Sequence, residues 1–326
     1  MFRTAIAVPV IALLHIPVAI GQDKAVDAYP EKPVRVIIPY AAGGPTDVVA
    51  RTVGQKLTEK WGQQFVLDNR VGADGLIGMT AAAGAPADGY TLLLGGSGVL
   101  TSNPALYAKL PYDSQKDFAP IVMTSSGPFL LVTHPKSGIS NVADLVRMAN
   151  ARPGELTFGS GGGLANLTGI LFQHAAGIKT ILVPYKGAAP SMIDLLGGQI
   201  TYIFTSTTAA LPNVQAGKLV GLAVTTKQRW PSLPDIPAIA ETVPSFEDVV
   251  VWYGFLAPSQ TPKGMIAKLN REINAVIQSK DIAQRFAAMG GQVVGGSPEL
   301  FAKVISQEIT MWKKLAKDAN LKLENR

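Results

Sequence analysis

The chain of 326 residues contains no cysteine. This absence excludes disulfide bonds, thiolate metal ligands, thiol nucleophiles and the lipid-bearing N-terminal cysteine of a lipoprotein. Charged residues are also scarce, at 16% of the chain, and Lys and Arg are scattered without a run. A dispersed net charge of +6 without interleaved aromatic residues is not typical of a nucleic-acid-binding surface, so we predict no nucleic-acid partner.

Only the N-terminus carries a long apolar run. Arg3 precedes an apolar stretch over residues 5–20, and Ala19-Ile20-Gly21 has the small-x-small pattern of a signal-peptide cleavage site. We therefore predict that residues 1–21 are a cleaved signal peptide, with an uncleaved anchor as the alternative. Cleavage would remove one positive charge and leave a net charge of +5. An exported chain without a lipid anchor or disulfides is expected in the periplasm.

Recognisable catalytic motifs are missing as well. The sequence has no H-E-x-x-H, P-loop, G-x-G-x-x-G or G-x-S-x-G pattern. Beyond the predicted signal peptide the only histidines are His134 and His174, far apart in the sequence. We predict a protein that is not an enzyme and has neither cofactor nor metal site. A secreted α/β hydrolase with Ser97 or Ser160 as nucleophile is the alternative, although no histidine spacing supports it.

Apolar runs alternate with helix-like stretches, a pattern that predicts an α/β fold with parallel sheets built from βαβ units. Strands are predicted over residues 34–40, 65–68, 91–95, 129–133, 156–159, 180–183, 201–204, 219–225 and 251–257. Helices are predicted over residues 47–61, 76–84, 142–151, 164–176, 189–196, 208–216, 262–280, 282–289 and 298–320.

The domain division follows from the last predicted strand and the helices after it. Residues 250–257 form another buried strand, and the terminal helices need a partner, so the chain is expected to return to its first domain. We predict one discontinuous lobe from residues 28–123 and 250–326, and a second lobe from residues 124–249.

Three small-residue loops each follow a predicted strand, at residues 41–46, 95–98 and 159–163. Ligands of open α/β sheets bind outside the carboxyl ends of the strands. A helix start without side-chain bulk in front of it offers free N–H groups to an anion. Thr46 and Asp47 are N-cap residue types at the first of these helix starts. The three loops together predict an anion-binding cleft.

Short motifs in a characteristic order cover nearly the whole chain beyond the signal peptide. They are residues 29–51, Asn69-Arg70-Val71-Gly72-Ala73 with Gly75 and Gly78, residues 87–93, Val183-Pro184-Tyr185-Lys186-Gly187, residues 194–199, residues 233–237 and Ala257-Pro258. In this order and spacing the sequence resembles the Bug family of periplasmic solute receptors, which serve tripartite tricarboxylate transporters.

The resemblance implies a type II periplasmic binding protein, an α/β fold of two lobes with a ligand cleft between them. It implies a monomer that captures a small di- or aromatic carboxylic acid and delivers it to the membrane subunits of a tripartite tricarboxylate transporter. A sensory co-receptor for the same ligand class is an alternative. The sequence does not name the ligand.

The loop pattern and the resemblance together predict a set of ligand-binding residues. The resemblance implies that amide groups and one hydroxyl of the first loop hold a ligand carboxylate, while Asp47 caps the helix and Tyr40 packs on the ligand. Lys186 is either a cation in the cleft or a solvated loop residue. The predicted set is Tyr40, Ala42, Gly43, Thr46, Gly96, Ser97, Gly98, Ser160, Gly161, Gly162, Tyr185, Lys186, Gly187, Thr205 and Ser206.

Two departures from the family pattern bear on the ligand. The Ser/Gly loop is shorter than usual, and Asn166 stands before Leu167 where the family usually has histidine. Thr205 stands where many relatives have aspartate. Without that carboxylate a ligand ammonium has no natural partner, which favours carboxylic acids without an amine.

Overall fold

The computed structural model describes residues 26–43, 45–185 and 187–321. Ten strands form the sheet framework, and their pairing is continuous from one end of the molecule to the other. The strands are β1 Val34–Ile38, β2 Phe65–Asn69, β3 Thr91–Gly96, β4 Phe118–Thr133, β5 Thr157–Ser160, β6 Ile181–Pro184, β7 Tyr202–Ser206, β8 Val220–Val224, β9 Val250–Pro258 and β10 Gln292–Val293. Their order is β2-β1-β3-β9-β4-β7-β5-β6, and β8 and β10 also pair with β4.

Ten α-helices are described alongside the sheet, together with a π-helical turn at Gly98–Ser102. They are α1 Pro45–Trp61, α2 Leu76–Ala83, α3 Asn103–Leu106, α4 Val142–Ala151, α5 Gly163–Ala176, α6 Ala188–Leu196, α7 Thr207–Gln215, α8 Lys263–Ile277, α9 Lys280–Ala288 and α10 Pro298–Asp318. Among these described helices, none is long and apolar enough to cross a bilayer.

The first lobe is a sheet covered by helices on both faces. Side chains of β1 alternate between two apolar layers, so Val36 packs with α1 and α8 while Ile37 packs with α2 and α10. This burial of both faces is typical of strands in α/β proteins and explains the nearly continuous apolar sequence of β1. The parallel pairs β1–β2 and β1–β3 agree with the predicted βαβ units.

The second lobe repeats this layering with an aromatic core. Phe158 of β5, Tyr202 of β7 and Phe172 of α5 pack together on one face, and the rings of Phe158 and Tyr202 are stacked with centroids 5.2 Å apart. The opposite face packs Ile203 and Leu195 of α6 against Trp230. Offset ring pairs of this kind add about 0.5–1.5 kcal/mol beyond their buried area.

Two long strands join the lobes. β4 pairs with β9 through Pro128 and with β7 from Phe129 onward, so a single strand belongs to both sheets. At about 3.3 Å per residue its 16 residues span about 50 Å. β9 is antiparallel to both β3 and β4, so the sheets are mixed at these crossings, which the predicted βαβ units did not include.

Helix α10 also spans both lobes. Phe301 and Ile305, in its first half, pack in the first lobe under β1 and β3. Trp312 and Leu315, in its second half, pack in the aromatic core of the second lobe. On the face of the sheet that it covers, α10 therefore packs against both lobes.

Candidate ligand-binding site

The loop after β1 is organised by one buried carboxylate. Asp47 is 2% exposed and accepts hydrogen bonds from the Gly43 amide at 3.0 Å, from Arg51 Nε at 2.7 Å and from Asn69 Nδ2 at 3.2 Å. Asn69 also donates to the Tyr40 carbonyl at 3.0 Å, so β2 holds both ends of the loop. Burial alone would raise the pKa of the Asp47 carboxyl, but the three donors outweigh it and lower that pKa.

This arrangement gives Asp47 a larger role than the predicted helix cap. The Gly43 amide, a predicted ligand donor, points at the Asp47 carboxylate in this conformation. Ala42 and Gly43 are exposed, and Gly43 has the left-handed φ of +82° with open space around it. The loop therefore turns away from the protein body at Gly43 and leaves its outer surface free for a ligand.

Two partly buried tyrosines, Tyr40 and Tyr253, pack in the same apolar layer as α1. The buried Thr46 side chain is hydrogen-bonded to that of Tyr253, and the Val99 amide donates to the Tyr40 hydroxyl at 3.4 Å. Burial raises the pKa of Tyr253 to about 12, with the Thr46 hydrogen bond acting in the opposite direction. Burial also raises the pKa of Tyr40. Both phenols therefore keep their protons at neutral pH.

The predicted loop at residues 95–98 is not a loop. Gly95 and Gly96 belong to β3 and pair with Gly254 and Tyr253, and the π-helical turn follows directly. A Cβ on Gly96 would lie 2.9 Å from the Tyr253 ring. These glycines are required by close packing across the sheet, which in a sequence looks the same as a flexible turn.

Ser97 is buried in the first lobe and Gly98 lies beside Tyr40, so neither belongs to an open loop. Ser97 is 1% exposed, and its hydroxyl accepts a hydrogen bond from the Trp252 amide at 3.4 Å. A Cβ on Gly98 would lie 3.4 Å from the Tyr40 hydroxyl, so Gly98 lies directly beside Tyr40.

Two helix N-termini meet in the second lobe. α5 begins after Gly162 and α6 begins after Gly187, and neither N-cap residue has a side chain that bonds the helix amides. A Cβ on Gly161 would lie 2.6 Å from the Gly187 carbonyl carbon, so the two turns touch. The free amides and the positive ends of two helix dipoles therefore converge, which favours an anion.

Hydrogen bonds from neighbouring strand ends fix this pair of turns. The Ser160 hydroxyl accepts from the Gly162 amide at 3.2 Å, and the Tyr185 amide donates to the Ser160 carbonyl at 2.8 Å. The Tyr185 hydroxyl donates to Asp194 at 2.7 Å. Burial, and after it this bond to the Asp194 carboxylate, raises the pKa of Tyr185 to about 12. Lys186 lies outside the described residues.

Within residues 124–249, the segment predicted to form the second lobe, two buried polar atoms lack a hydrogen-bond partner among the described residues. They are the Thr205 hydroxyl, in a residue 3% exposed, and the Oδ1 atom of Asn166 in the first turn of α5. Leaving a buried polar atom unpaired costs about 1–3 kcal/mol. Such atoms are expected where a ligand or bound water completes the structure.

A cavity of about 50 Å³ lies where the lobes meet. Tyr253 and Val49 line it from the first lobe, and Ser206 and Thr207 line it from the second. Ser206 was predicted from the sequence, but Tyr253, Thr207, Phe286 and Met289 were not, because each reaches the cavity only through tertiary packing. Asn69 was also missed as a loop support, although it lies in one of the motifs quoted above.

Both histidines beyond the predicted signal peptide lie on the second lobe. His134 Nδ1 accepts from the Lys136 amide at 3.1 Å and so caps a short helical turn, and His174 is exposed on α5. Within the described ranges, no group of three or more His, Asp or Glu side chains is placed to hold a metal ion. What the loop after β1 and the paired turns of the second lobe offer is backbone amides and hydroxyl groups.

Two α/β lobes joined by crossing strands are the architecture of a type II periplasmic binding protein. The family model for the tripartite tricarboxylate transporter family receptor matches residues 49–321. The chain belongs to this family.

Several relatives match over nearly their full length. Protein BugT of Bordetella pertussis is 35% identical over 320 residues, which is 97% of this chain and 98% of BugT. The structure of Rpa4515 from R. palustris with adipate is 36% identical, with a TM-score of 0.83 over 90% of this chain and 98% of that one. MatC from Rhodopseudomonas palustris with bound malate is 28% identical, with a TM-score of 0.79 over 88% of this chain and 99% of MatC.

Proposed function

We propose that this chain is a non-enzymatic receptor of the periplasm that captures a small carboxylic acid between its lobes and delivers it to the membrane subunits of a tripartite tricarboxylate transporter. The observation that carries the proposal is the contact between Gly161 and Gly187, which brings two uncapped helix N-termini together. A carboxylate is the size and charge that such a pair of termini accommodates. The adipate and malate bound by Rpa4515 and MatC support the same ligand class.

We propose that the lobes comprise residues 28–123 with 250–326 and residues 124–249, and that they move about the crossing strands β4 and β9. A ligand that contacts both walls binds the closed arrangement more tightly, and closure follows from that difference in affinity. The amides near Gly162 and Gly187 form one wall, and Ala42, Gly43 and Thr46 form the other.

Within the carboxylates, we propose that the receptor prefers acids without an amine. Thr205 offers a neutral hydroxyl with no partner among the described residues, and Asp47 and Asp194 are already engaged by Arg51 and Tyr185. A ligand ammonium would therefore lose its hydration without gaining a counter-charge from these residues, which is strongly unfavourable.

A thermal-shift panel tests the proposed function. The purified protein is heated with adipate, malate, succinate, citrate, benzoate, aspartate and glutamate, one at a time. An acid at 100 times its dissociation constant should stabilise the fold by about 2.7 kcal/mol. A panel in which no carboxylate raises the melting temperature at millimolar concentration would contradict the proposal.

A further inference from the structure

A turn of the first lobe is hydrogen-bonded to the first turn of a helix in the second lobe. The Met289 carbonyl, at the C-terminal end of α9, accepts hydrogen bonds from the Thr207 hydroxyl at 3.0 Å and from the Thr208 hydroxyl at 3.3 Å. These threonines are the first two residues of α7. Carbonyl groups at a helix end lack partners within the helix, so external hydroxyls satisfy them well.

The fit of this turn depends on a glycine. Gly290 has a φ of +75°, and a Cβ on it would lie 2.6 Å from Thr207 Cβ and 3.2 Å from Leu211 Cδ1. Any larger residue would push the turn away from α7. The negative end of α9 also faces the positive end of α7, which adds a favourable dipole interaction.

The contact lies on the face of the sheet that α10 does not cover. Phe286 and Met289 pack with the α1 and α8 layer, whereas α10 covers the opposite layer and is anchored in both lobes. β10 follows the turn and pairs with Ser125 and Ser126, next to the residue at which β4 changes partners. A rotation of the lobes about the crossing strands would therefore leave α10 in contact and separate Met289 from Thr207.

We propose that the turn Met289-Gly290-Gly291 is a latch that holds the two lobes at the angle seen here and thereby positions both walls of the ligand site. The inference rests on the two-lobe receptor proposed above. The latched arrangement is the one in which Tyr253 and Ser206 line a common cavity, so the latch favours ligand binding. The two hydrogen bonds to the Met289 carbonyl shift the ratio of the latched to the unlatched lobe arrangement by about 5- to 150-fold.

The absence of cysteine makes the lobe angle measurable. Spin labels at Glu59→Cys and Lys218→Cys, two exposed positions on different lobes, report one interlobe distance without interference from native thiols. The distance is measured in this labelled parent and after adding Gly290→Ala. The matched control is Gly154→Ala, which has a similar φ of +77° but open space around its Cβ and is adjacent in sequence to neither label.

Gly290→Ala should shift or broaden the distance distribution and weaken adipate binding by about 5-fold or more, while Gly154→Ala should leave both unchanged. Thr207→Val with Thr208→Val should act in the same direction with less risk to folding, and Thr207→Ser should retain the parent distance. Distances that match between Gly290→Ala, the double valine variant and the parent would overturn the latch. Tighter adipate binding after the latch is broken would also overturn it. A parent that binds no carboxylate would contradict the proposed function, whereas the distances without ligand still decide the latch.

Discussion

The Trp252 indole N–H donates a hydrogen bond of 2.7 Å to the Glu308 carboxylate, which joins the crossing strand β9 to the middle of α10. The Thr101 hydroxyl donates to the other oxygen of the same carboxylate at 2.8 Å. Glu308 therefore ties α10 both to a strand shared by the lobes and to the π-helical turn behind Tyr40. Burial, with a smaller contribution from Asp248, raises the pKa of Glu308 to about 7 against the effect of its two donors.

The first prediction concerns this carboxyl group. A pKa of about 7 in the native state, against 4.5 ordinarily, means that the native protein binds the proton more tightly than the unfolded chain. The free energy of unfolding should therefore fall as the pH rises from about 4.5 to about 7, by an amount on the order of 2 kcal/mol. Urea denaturation at a series of pH values measures this slope. Glu308→Gln should flatten it, and an equal slope in parent and variant would contradict the assignment.

Asp47 is predicted to be the organiser of the first loop. Asp47→Asn removes the negative charge that accepts hydrogen bonds from Gly43, Arg51 and Asn69. The free energy of unfolding should fall by about 2–3 kcal/mol because a buried charged acceptor is lost. The lowered pKa of Asp47 also means that its contribution is present above about pH 4 and is lost as the pH falls further. Arg51→Gln is the control, because this side chain is 59% exposed and the surrounding water screens its ion pair. Equal denaturation midpoints for the two variants would count against this role.

The Thr46 hydroxyl is predicted to contact the ligand carboxylate. Thr46→Ala should weaken carboxylate binding about 10- to 150-fold, the value of one hydrogen bond to a charged group. Thr46→Ser keeps the hydroxyl and should bind like the parent. Tyr253→Phe removes the hydrogen bond between Thr46 and Tyr253 and leaves the Thr46 hydroxyl in place. It therefore separates the loss of that hydrogen bond from the loss of the contact between Thr46 and the ligand. If Thr46→Ala binds like the parent in calorimetry, the first wall of the site lies elsewhere.

Much of the fold could be predicted from the sequence because local patterns decide it. The strands and helices around β1 and α1 follow apolar periodicity and Gly-rich turns, and the observed bounds lie within a few residues of the predicted ones. The first half of β4 was missed because Pro120, Ser125, Ser126 and Pro128 are typical of loops. Two register shifts, at Pro120/Val122 and at Met123/Ser125, let the strand continue through this segment.

The site could be predicted only where its residues follow strand ends in the sequence. Ser160, Gly161 and Gly187 met this condition, and their contact follows from the parallel pairing of β5 and β6. Met289 and Thr207 lie far apart in the sequence, and nothing local to either residue indicates their contact. Likewise, the sequence does not indicate that Gly96 is required by its packing against the Tyr253 ring.

Ligand class is predicted from Thr205. In one titration series, adipate and succinate should bind more tightly than aspartate and glutamate. Thr205→Asp should weaken the binding of diacids, because it places like charges together in the cleft. Thr205→Asn has nearly the same size as Thr205→Asp without its charge, and separates the effect of charge from that of packing. Tighter binding of the amino acids by the parent would refute the preference.

The most direct test of carboxylate capture by the paired helix N-termini is a calorimetric titration of the parent, Gly161→Ala and Gly197→Ala with the tightest-binding acid of the panel. A Cβ at Gly161 would meet the Gly187 backbone at 2.6 Å, whereas a Cβ at Gly197, at the other end of α6, would lie 3.5 Å from its nearest neighbour. The parent and Gly197→Ala should bind one carboxylate with equal affinity, and Gly161→Ala should bind it at least 10-fold more weakly. Equal affinity in all three proteins would contradict the site.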